Sequence, residues 1–148
     1  MSLILMLEDD LDRIARFEAV VRQKRAETSI KICRTAFDFQ FAHGSLEEPP
    51  EIICLDHDLF TDSPNDPDPG DGRDVADFLV TRLTRCPVLI HSSNSVAADS
   101  MLFSLRDAGW TVERIAPLGD DWIENYWYPT ICDMIERGND LTNQIVMG

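Results

Sequence analysis

Residues 52–59 read IICLDHDL, an apolar run that stops at two carboxylates with an imidazole between them. Four apolar residues in a row followed by polar ones are typical of a strand buried on both faces. Such a strand would hold Asp56, His57 and Asp58 on a rigid support at its carboxyl end. Because these side chains offer metal ligands and acid–base groups, they are the first candidates for function.

The same alternation of apolar runs and helical patterns extends in both directions from this segment. Strands are predicted at 3–7, 30–33, 51–55, 87–91 and about 111–116. Helical stripes run from Leu11 to Val21, from Ala36 to Ala42, from Val75 to Leu83, from Ser95 to Asp107, and from Trp122 to Ile135. Five βα units whose strands are apolar on both faces predict an α/β fold, a doubly wound five-stranded parallel sheet with helices on each side.

The length of 148 residues, 44% of them hydrophobic, suits one domain spanning 1–148. Residues 60–71 are too rich in Pro and Asp for a helix or strand. They predict an extended surface loop that forms a rim or lid. The loop acids do not follow the spacing of a calcium-binding loop.

The chain is strongly acidic, with 27 acidic against 13 basic residues and a formal charge of −14. This charge argues against bulk nucleic-acid binding and against attraction to an anionic membrane. The apolar run 3–7 has no basic flank and is far too short to span a bilayer. Four cysteines without a CxxC pair indicate reduced core residues, so we expect a cytoplasmic protein.

Polar residues follow three of the predicted strands. They are Glu8 and Asp9 after the first strand, residues 56–58 after the third, and residues 91–94 after the fourth. In doubly wound sheets, ligands bind at the carboxyl ends of the strands, near the switch in strand order. We therefore expect these residues to meet in one site.

The pattern resembles the receiver domain of bacterial response regulators over almost the whole chain. Receivers carry an acidic pair after the first strand, a phospho-accepting Asp after the third and Ser or Thr after the fourth, which Glu8-Asp9, Asp56 and Ser92 match. The resemblance implies a receiver/flavodoxin-like sheet of strand order 2-1-3-4-5. Receivers also carry Lys-Pro after the fifth strand, where this chain has Ala116-Pro117. The missing lysine argues against ordinary phosphorelay.

A narrower resemblance rests on three motifs, LDHDL at 55–59, Gly-Arg-Asp at 72–74 and His-Ser-Ser-Asn at 91–94. Together they look like the cyclic-phosphate-processing receiver-like family. In that family the acids after the first strand are followed by Arg, and here Arg13 follows with a different spacing. The resemblance implies binding and processing of cyclic phosphates on nucleotides or RNA ends, that is, a metal-dependent phosphoesterase.

The acids suit a hard divalent cation. Glu8, Asp9 and Asp56 would offer carboxylate oxygens to Mg²⁺ or Mn²⁺, with Asp58 contributing nearby. A metal would make so acidic a pocket acceptable to a phosphate. The simpler interpretation of Glu8 and Asp9 is an acid cluster favoured by the first turn of a helix.

Opening a cyclic phosphate requires an activated water and a proton for the departing oxygen, and histidine suits both tasks near neutral pH. His57 and His91 are the two candidates, and either one fits the role of acid or base. Direct attack by Asp56 and metal activation of water both remain open.

Phosphate or substrate contacts are predicted for Arg13, Arg73, Ser92 and Asn94. Ser92 and Asn94 also fit the cap of the next helix, and Arg73 fits the exposed first turn of its helix.

One other function fits the same residues. A divergent receiver, phosphorylated at Asp56 or inactive, would serve as a signalling or interaction module. The aromatic group at 122–128 suits packing on the sheet, and it also suits a homodimer or a partner docked through the last helix.

Overall fold

A computed structural model describes the backbone of residues 2–83 and 85–147 and side chains up to residue 139. The two ends of the predicted domain, residues 1 and 148, lie outside the described residues. The strands are β1 (Leu3–Leu7), β2 (Ser29–Cys33), β3 (Ile52–Leu55), β4 (Val88–Ile90) and β5 (Val112–Arg114). The helices are α1 (Leu11–Lys24), α2 (Ala36–Gly44), α3 (Gly72–Leu79), α4 (Ser95–Asp107) and α5 (Tyr128–Met147).

All strand pairs in the sheet are parallel, and the strand order is β2-β1-β3-β4-β5, which confirms the predicted fold and order. The register aligns Leu7 with Leu55 and Leu55 with Ile90. The carboxyl ends of β1, β3 and β4 therefore meet at one edge of the sheet. The switch in strand order lies between β1 and β3, where ligands bind in this architecture.

Apolar residues cover both faces of the sheet because successive side chains of a strand point to opposite faces. Leu5 and Leu7 pack on the face covered by α2, α3 and α4, whereas Ile4 and Met6 pack on the face covered by α1 and α5. The continuous apolar runs of the sequence therefore mark strands buried on both faces, as predicted.

A polar side chain caps each of the first four helices by accepting a hydrogen bond from a backbone N–H in the first turn. The caps are Asp10, Thr35, Asp71 and Asn94. Such caps stabilise a helix by about 1 kcal/mol each. The capping residues therefore have a structural task, whereas Glu8, Asp9 and Asp56 cap no helix.

Three details differ from the sequence prediction. The third helix ends at Leu79, so Leu83 lies beyond it and is 90% exposed. Only eight residues connect Leu79 to β4, and the chain leaves the helix early to cover that distance. Val96, predicted on the apolar stripe of α4, is 83% exposed, and β5 is shorter than 111–116.

A π-helical turn, Ile123–Trp127, leads directly into α5, and Pro129 lies in the first turn of α5. Proline fits that position because the first-turn N–H groups need no partner within the helix. Trp122 and Trp127 are buried against the sheet, as predicted, and Tyr126 is exposed. The docking role predicted for this helix depends in part on side chains after residue 139, which lie outside the described residues.

Among the described residues, no helix combines the length and apolar character that crossing a membrane requires.

Candidate functional site

A cleft of about 570 Å³ opens at the carboxyl edge of the sheet, which we call the main cleft. It lies where β1 and β3 end, the position expected for a ligand site in this architecture. Its lining comprises Glu8, Asp9, Asp10, Leu11, Asp12, Arg13, Arg34, Asp56, Asp58, Phe60, Thr61, Asp62 and Ser93.

Three carboxylates meet at the floor of the main cleft. One oxygen each of Glu8, Asp9 and Asp56 lies within 4.8 Å of the other two. Glu8 is completely buried, and Asp9 and Asp56 are 8% and 6% exposed. The structure thus brings together the acids that the sequence predicted after two different strands.

Backbone N–H groups fix the orientation of these carboxylates. Glu8 Oε2 accepts hydrogen bonds from the N–H groups of Asp9 (3.0 Å) and Asp10 (3.3 Å). Asp56 Oδ1 accepts from the N–H of His57 at 2.8 Å, and Asp9 Oδ2 accepts from the N–H of Phe60 at 2.6 Å. Each acid therefore keeps an oxygen that these hydrogen bonds do not use.

The acids hold their protons with very different strength. Burial raises the pKa of Asp56 to about 7, and the neighbouring Glu8 charge adds to this effect. Burial also acts to raise the pKa of Glu8, but His91 and Arg13 outweigh it and lower that pKa to about 2. The pKa of Asp9 is raised, mainly by burial. The metal-free cluster thus keeps a proton on Asp56 near neutral pH.

The donor set fits a hard divalent cation. Clustered carboxylate oxygens are the ligands that Mg²⁺ and Mn²⁺ take in proteins. Glu8 Oε1 is buried and has no hydrogen-bond partner among the described residues. A buried anionic oxygen without such a partner is costly, and a bound cation would satisfy it.

Arg13 is the cation nearest to this cluster. Its Nη1 lies 3.6 Å from Glu8 Oε1 and 3.9 Å from Asp56 Oδ2. The guanidinium also lies over the ring of Trp122, 5.3 Å from the ring centroid, which holds it in place. Ala116, where receivers carry lysine, is exposed. In this chain, the positive charge beside Asp56 comes from α1.

His91 does not line the main cleft. Its side chain is completely buried, and its Nε2 lies 3.3 Å from Glu8 Oε1. Its ring packs against those of Phe17 and Trp122, with centroid distances of 5.4 and 6.0 Å. Glu8 lines the cleft and contacts His91, which follows β4, the strand that β3 separates from β1. His91 is thus placed to position Glu8 rather than to touch a ligand.

His57 turns away from the carboxylate cluster. Its Nδ1 lies 2.9 Å from Asp58 Oδ1, and its Nε2 lies 3.6 Å from Asp71 Oδ2 at the start of α3. Asp58 lines the main cleft but is not one of the three clustered acids. The structure therefore places the predicted metal ligand Asp58 at the rim, next to His57.

The predicted phosphate contacts Ser92, Asn94 and Arg73 have other partners in the structure. Ser92 is 1% exposed and its Oγ accepts from the N–H of Asn94, whose Oδ1 in turn accepts from Ala97 and caps α4. Arg73 bonds to Asp77 on its own helix and to serines 100 and 104 on α4. Within 91–94, Ser93 lines the cleft, whereas Ser92 and Asn94 are hydrogen-bonded in the cap of α4.

Gly72 sets the distance between α3 and the end of β3. A Cβ atom at this position would lie 2.2 Å from the backbone oxygen of Asp56 and 2.8 Å from the Cα of His57. The N–H of Gly72 donates to the backbone oxygen of His57 at 2.9 Å. Glycine is required here because backbone approaches backbone.

Arg34, Phe60 and Asp62 line the main cleft although the sequence did not mark them as site residues; the last two lie in the loop 60–71 that it predicts as a rim or lid. Arg34 bonds to the backbone oxygen of Asp9 and to the carboxylate of Asp62, so it ties the loop to the acids. Arg34 directly follows β2, and the strand-end rule that selected the other candidates also applies to it. Nothing comparable in the sequence marks Phe60.

The fold defines a receiver-type domain. Among solved structures, it is similar to the signal receiver domain of a Luxo repressor protein from Vibrio parahaemolyticus, with a TM-score of 0.70, 16% identity, and 99% and 98% of the two chains covered. The Mn²⁺-bound response regulator Rcp1 is similar with a TM-score of 0.62 and 18% identity, over 86% of this chain and 94% of the Rcp1 chain. The receiver domain of a Pseudomonas aeruginosa sensor histidine kinase, which holds a magnesium ion in its active site cleft, is similar with a TM-score of 0.64 and 15% identity. The match covers 91% of this chain and 98% of that domain's chain.

The sequence identifies the family within this class. The model of the cyclic-phosphate processing receiver domain matches residues 4–107, and the chain belongs to this family. No curated protein matches the sequence.

Proposed function

We propose that this domain binds a divalent metal ion in the main cleft and opens a cyclic phosphate ester on a nucleotide or RNA end. The observation that carries the proposal is the joint placement of three clustered carboxylates and Arg13 in one cleft. The family membership and the metal ions held by similar receiver structures support it.

Glu8, Asp9 and Asp56 would hold Mg²⁺ or Mn²⁺. When bound, the ion would neutralise phosphate charge and promote formation of hydroxide from water. Asp56 must give up its proton to serve as a ligand, because its pKa is raised to about 7. Metal binding therefore releases a proton near neutral pH.

Arg13 would bind the nonbridging phosphate oxygens. Its guanidinium lies on the open side of the acids and is fixed by the Trp122 ring. Planar N–H donors suit phosphate, and the positive charge grows in value as the phosphorus gains negative charge in the transition state. In this role Arg13 supplies the cation that receivers draw from their lysine.

Ring opening needs one proton to move. Water attacks phosphorus, the bond from phosphorus to one ribose oxygen breaks, and the proton lost by the water ends on that oxygen. We assign the transfer to the rim pair, because Asp58 lines the cleft and its Oδ1 lies 2.9 Å from Nδ1 of His57. A carboxylate and an imidazole in contact can take up and return a proton near neutral pH.

His91 enters as a positioning residue. It is sealed behind Glu8 and holds that carboxylate through the 3.3 Å contact of Nε2 with Oε1. Its loss is expected to weaken metal binding rather than to stop proton transfer.

The experiment is incubation of the purified protein with Mg²⁺ or Mn²⁺ and nucleoside 2′,3′-cyclic phosphates, with the products separated by chromatography. Ring opening is expected, with loss of activity in Asp56→Ala and retention in Glu18→Ala, which removes an exposed acid of α1 outside the cleft. Absence of turnover with every cyclic phosphate and both metals would overturn the enzymatic proposal.

The alternative is a signalling receiver phosphorylated on Asp56. The observation that favours it is Arg13 Nη1 at 3.9 Å from Asp56 Oδ2, where a cation could pair with an acyl phosphate. It predicts that acetyl phosphate and Mg²⁺ add one phosphoryl group to the wild type but not to Asp56→Asn, as read by intact-protein mass spectrometry.

A further inference from the structure

A second cleft, of about 420 Å³, adjoins the main cleft, and we call it the side cleft. The two clefts share Arg34, Phe60, Thr61 and Asp62 in their linings. They are therefore two compartments of one groove. Each has a volume in the range of about 300–1,000 Å³ that is typical of small-molecule sites.

Aromatic and proline side chains give the side cleft a different chemistry. Phe37, Phe60, Pro67 and Pro69 belong to its lining. Phe37 is 74% exposed and Phe60 is 73% exposed. Large rings that line one cleft and are left in water are characteristic of a binding surface.

The position of Phe60 is tied to the carboxylate cluster. Its backbone N–H donates to Asp9 Oδ2 at 2.6 Å, so the residue that carries the ring also orients an acid of the main cleft. On the other side, the backbone oxygen of Pro69 accepts from the N–H of Ala36 at 2.8 Å, which attaches the loop to α2. Such a preformed surface loses little entropy when a ligand binds.

The charge of the side cleft disfavours a second phosphate. Its lining includes the acids Asp38, Asp62, Asp66 and Asp68 against a single cation, Arg34, which is already bonded to Asp62. A flat, uncharged ring is the part of a nucleotide that such a surface accepts. Bases stack on aromatic side chains whatever their sequence, since every base has a π face.

We propose that the side cleft is a base subsite: the ring of a nucleoside 2′,3′-cyclic phosphate stacks on Phe60 and Phe37 while its phosphate occupies the main cleft. This inference rests on the proposed function, and it narrows the substrate class from cyclic phosphates in general to nucleotides.

The test compares two ligands that share the five-membered cyclic phosphate and differ in the base. Calorimetric titration with adenosine 2′,3′-cyclic phosphate and with glycerol 1,2-cyclic phosphate gives the ratio of their affinities; it uses Mn²⁺-loaded protein carrying His57→Ala, in which the proposed proton transfer is removed and the ligands stay intact. We expect the nucleotide to bind at least about 10-fold more tightly. Phe60→Ala and Phe37→Ala should each lower this ratio several-fold, and Phe60→Trp should preserve it.

Phe103→Ala is the matched control, because Phe103 is 63% exposed on α4 and lines neither cleft. It should leave the ratio unchanged. A ratio near one, or a ratio indifferent to both Phe60→Ala and Phe37→Ala, would overturn the base subsite while leaving the proposed function intact. If neither ligand binds, both fall. A change in molecular mass by light scattering in Phe37→Ala, with the ratio unchanged, would instead identify a protein-docking surface and also overturn the base subsite.

Discussion

The chain that leaves β3 has different surroundings on its two sides. Asp56 faces the main cleft, where it is 6% exposed and lies with Glu8, Asp9 and Arg13. His57, the next residue, faces α3 and contacts the carboxylates of Asp58 and Asp71. We call these the cleft side and the α3 side.

The difference shows why a compact motif need not be one chemical unit. Successive residues of an extended chain point in opposite directions, so neighbours in LDHDL can have separate partners. Asp56 joins Glu8 and Asp9, which follow β1, and Arg13 of α1, all distant from it in sequence. His57 joins the cap of α3. The motif therefore divides between two sets of contacts, the proposed metal ligand Asp56 on the cleft side and the contacts of His57 with Asp58 and Asp71 on the α3 side.

The largest loss of stability is expected from a substitution that pushes α3 away from the end of β3. Gly72→Ala places a Cβ atom 2.2 Å from the Asp56 backbone oxygen and 2.8 Å from Met101 Cε. The backbone of β3 or α3 must shift, which we expect to cost about 3 kcal/mol or more of unfolding free energy. Urea denaturation measures this loss.

Gly44→Ala is the matched control, because an added Cβ there meets nothing within 4 Å. It should leave stability nearly unchanged. Equal stability of the two variants would show that the close approach at Gly72 is not required.

The two histidines compare the interior of the cleft side with the exposed α3 side. His91→Ala removes a fully buried partner of Glu8, leaves Arg13 at 3.6 Å to pair with that buried charge, and opens a cavity beside Phe17, so we expect a loss of about 3 kcal/mol. His57→Ala removes a contact with Asp58, whose side chain is 47% exposed, and should cost less than about 1 kcal/mol. Thermal unfolding of both variants tests the contrast, and similar losses would contradict it.

Asp56→Asn tests the electrostatics of the cleft side. In metal-free protein, burial raises the pKa of folded Asp56 from its ordinary value of 3.8 to about 7. Its contribution to stability is therefore present below about pH 4 and is lost as the pH rises through 7. In EDTA at pH 8, Asp56→Asn should be more stable than the wild type by about 2 kcal/mol.

The same comparison at pH 5 supplies the control, since the carboxyl of the folded wild type is then protonated and the difference should be clearly smaller than at pH 8. The pH dependence of stability that comes from Glu8 has the opposite sign. Because its pKa is lowered, Glu8 stabilises the folded protein above about pH 4.5, and this contribution is lost as the pH falls toward 2. A stability difference independent of pH would refute the buried proton on Asp56.

Much of this fold could be predicted because local and long-range patterns agree. Helix α4 runs from Ser95 to Asp107 as predicted, since a cap, an apolar stripe and Gly109 define its ends. The third helix was predicted too long because Leu83 fits its apolar period, although the short connection to β4 leaves that residue in solvent. The spacing of apolar residues along a helix does not reveal how much chain is needed to reach the next strand.

The sequence predicts which strand ends contribute residues to the site. The meeting of Glu8, Asp9 and Asp56 follows from parallel strands in the order 2-1-3-4-5. The direction of each imidazole does not follow, because it depends on which distant partner the ring finds. His91 faces Glu8 and aromatic rings, and no feature of the segment 91–94 indicates this.

We propose that Arg13 supplies the phosphate-binding cation beside the carboxylates of Glu8, Asp9 and Asp56. Calorimetric titration tests this role in wild type, Arg13→Ala and the control Arg16→Ala, each also carrying His57→Ala so that the proposed proton transfer is removed and the ligand stays intact. Arg16 serves as the control because it bonds to Glu124 outside the cleft. Each protein is titrated first with Mn²⁺ and then with adenosine 2′,3′-cyclic phosphate. In Arg13→Ala, Mn²⁺ should bind as tightly as in the wild type or more tightly, because a positive neighbour of Glu8 is gone. Affinity for the cyclic phosphate should fall about 10-fold or more. Unchanged affinity for the cyclic phosphate, or loss of Mn²⁺ binding in the same variant, would contradict the claim.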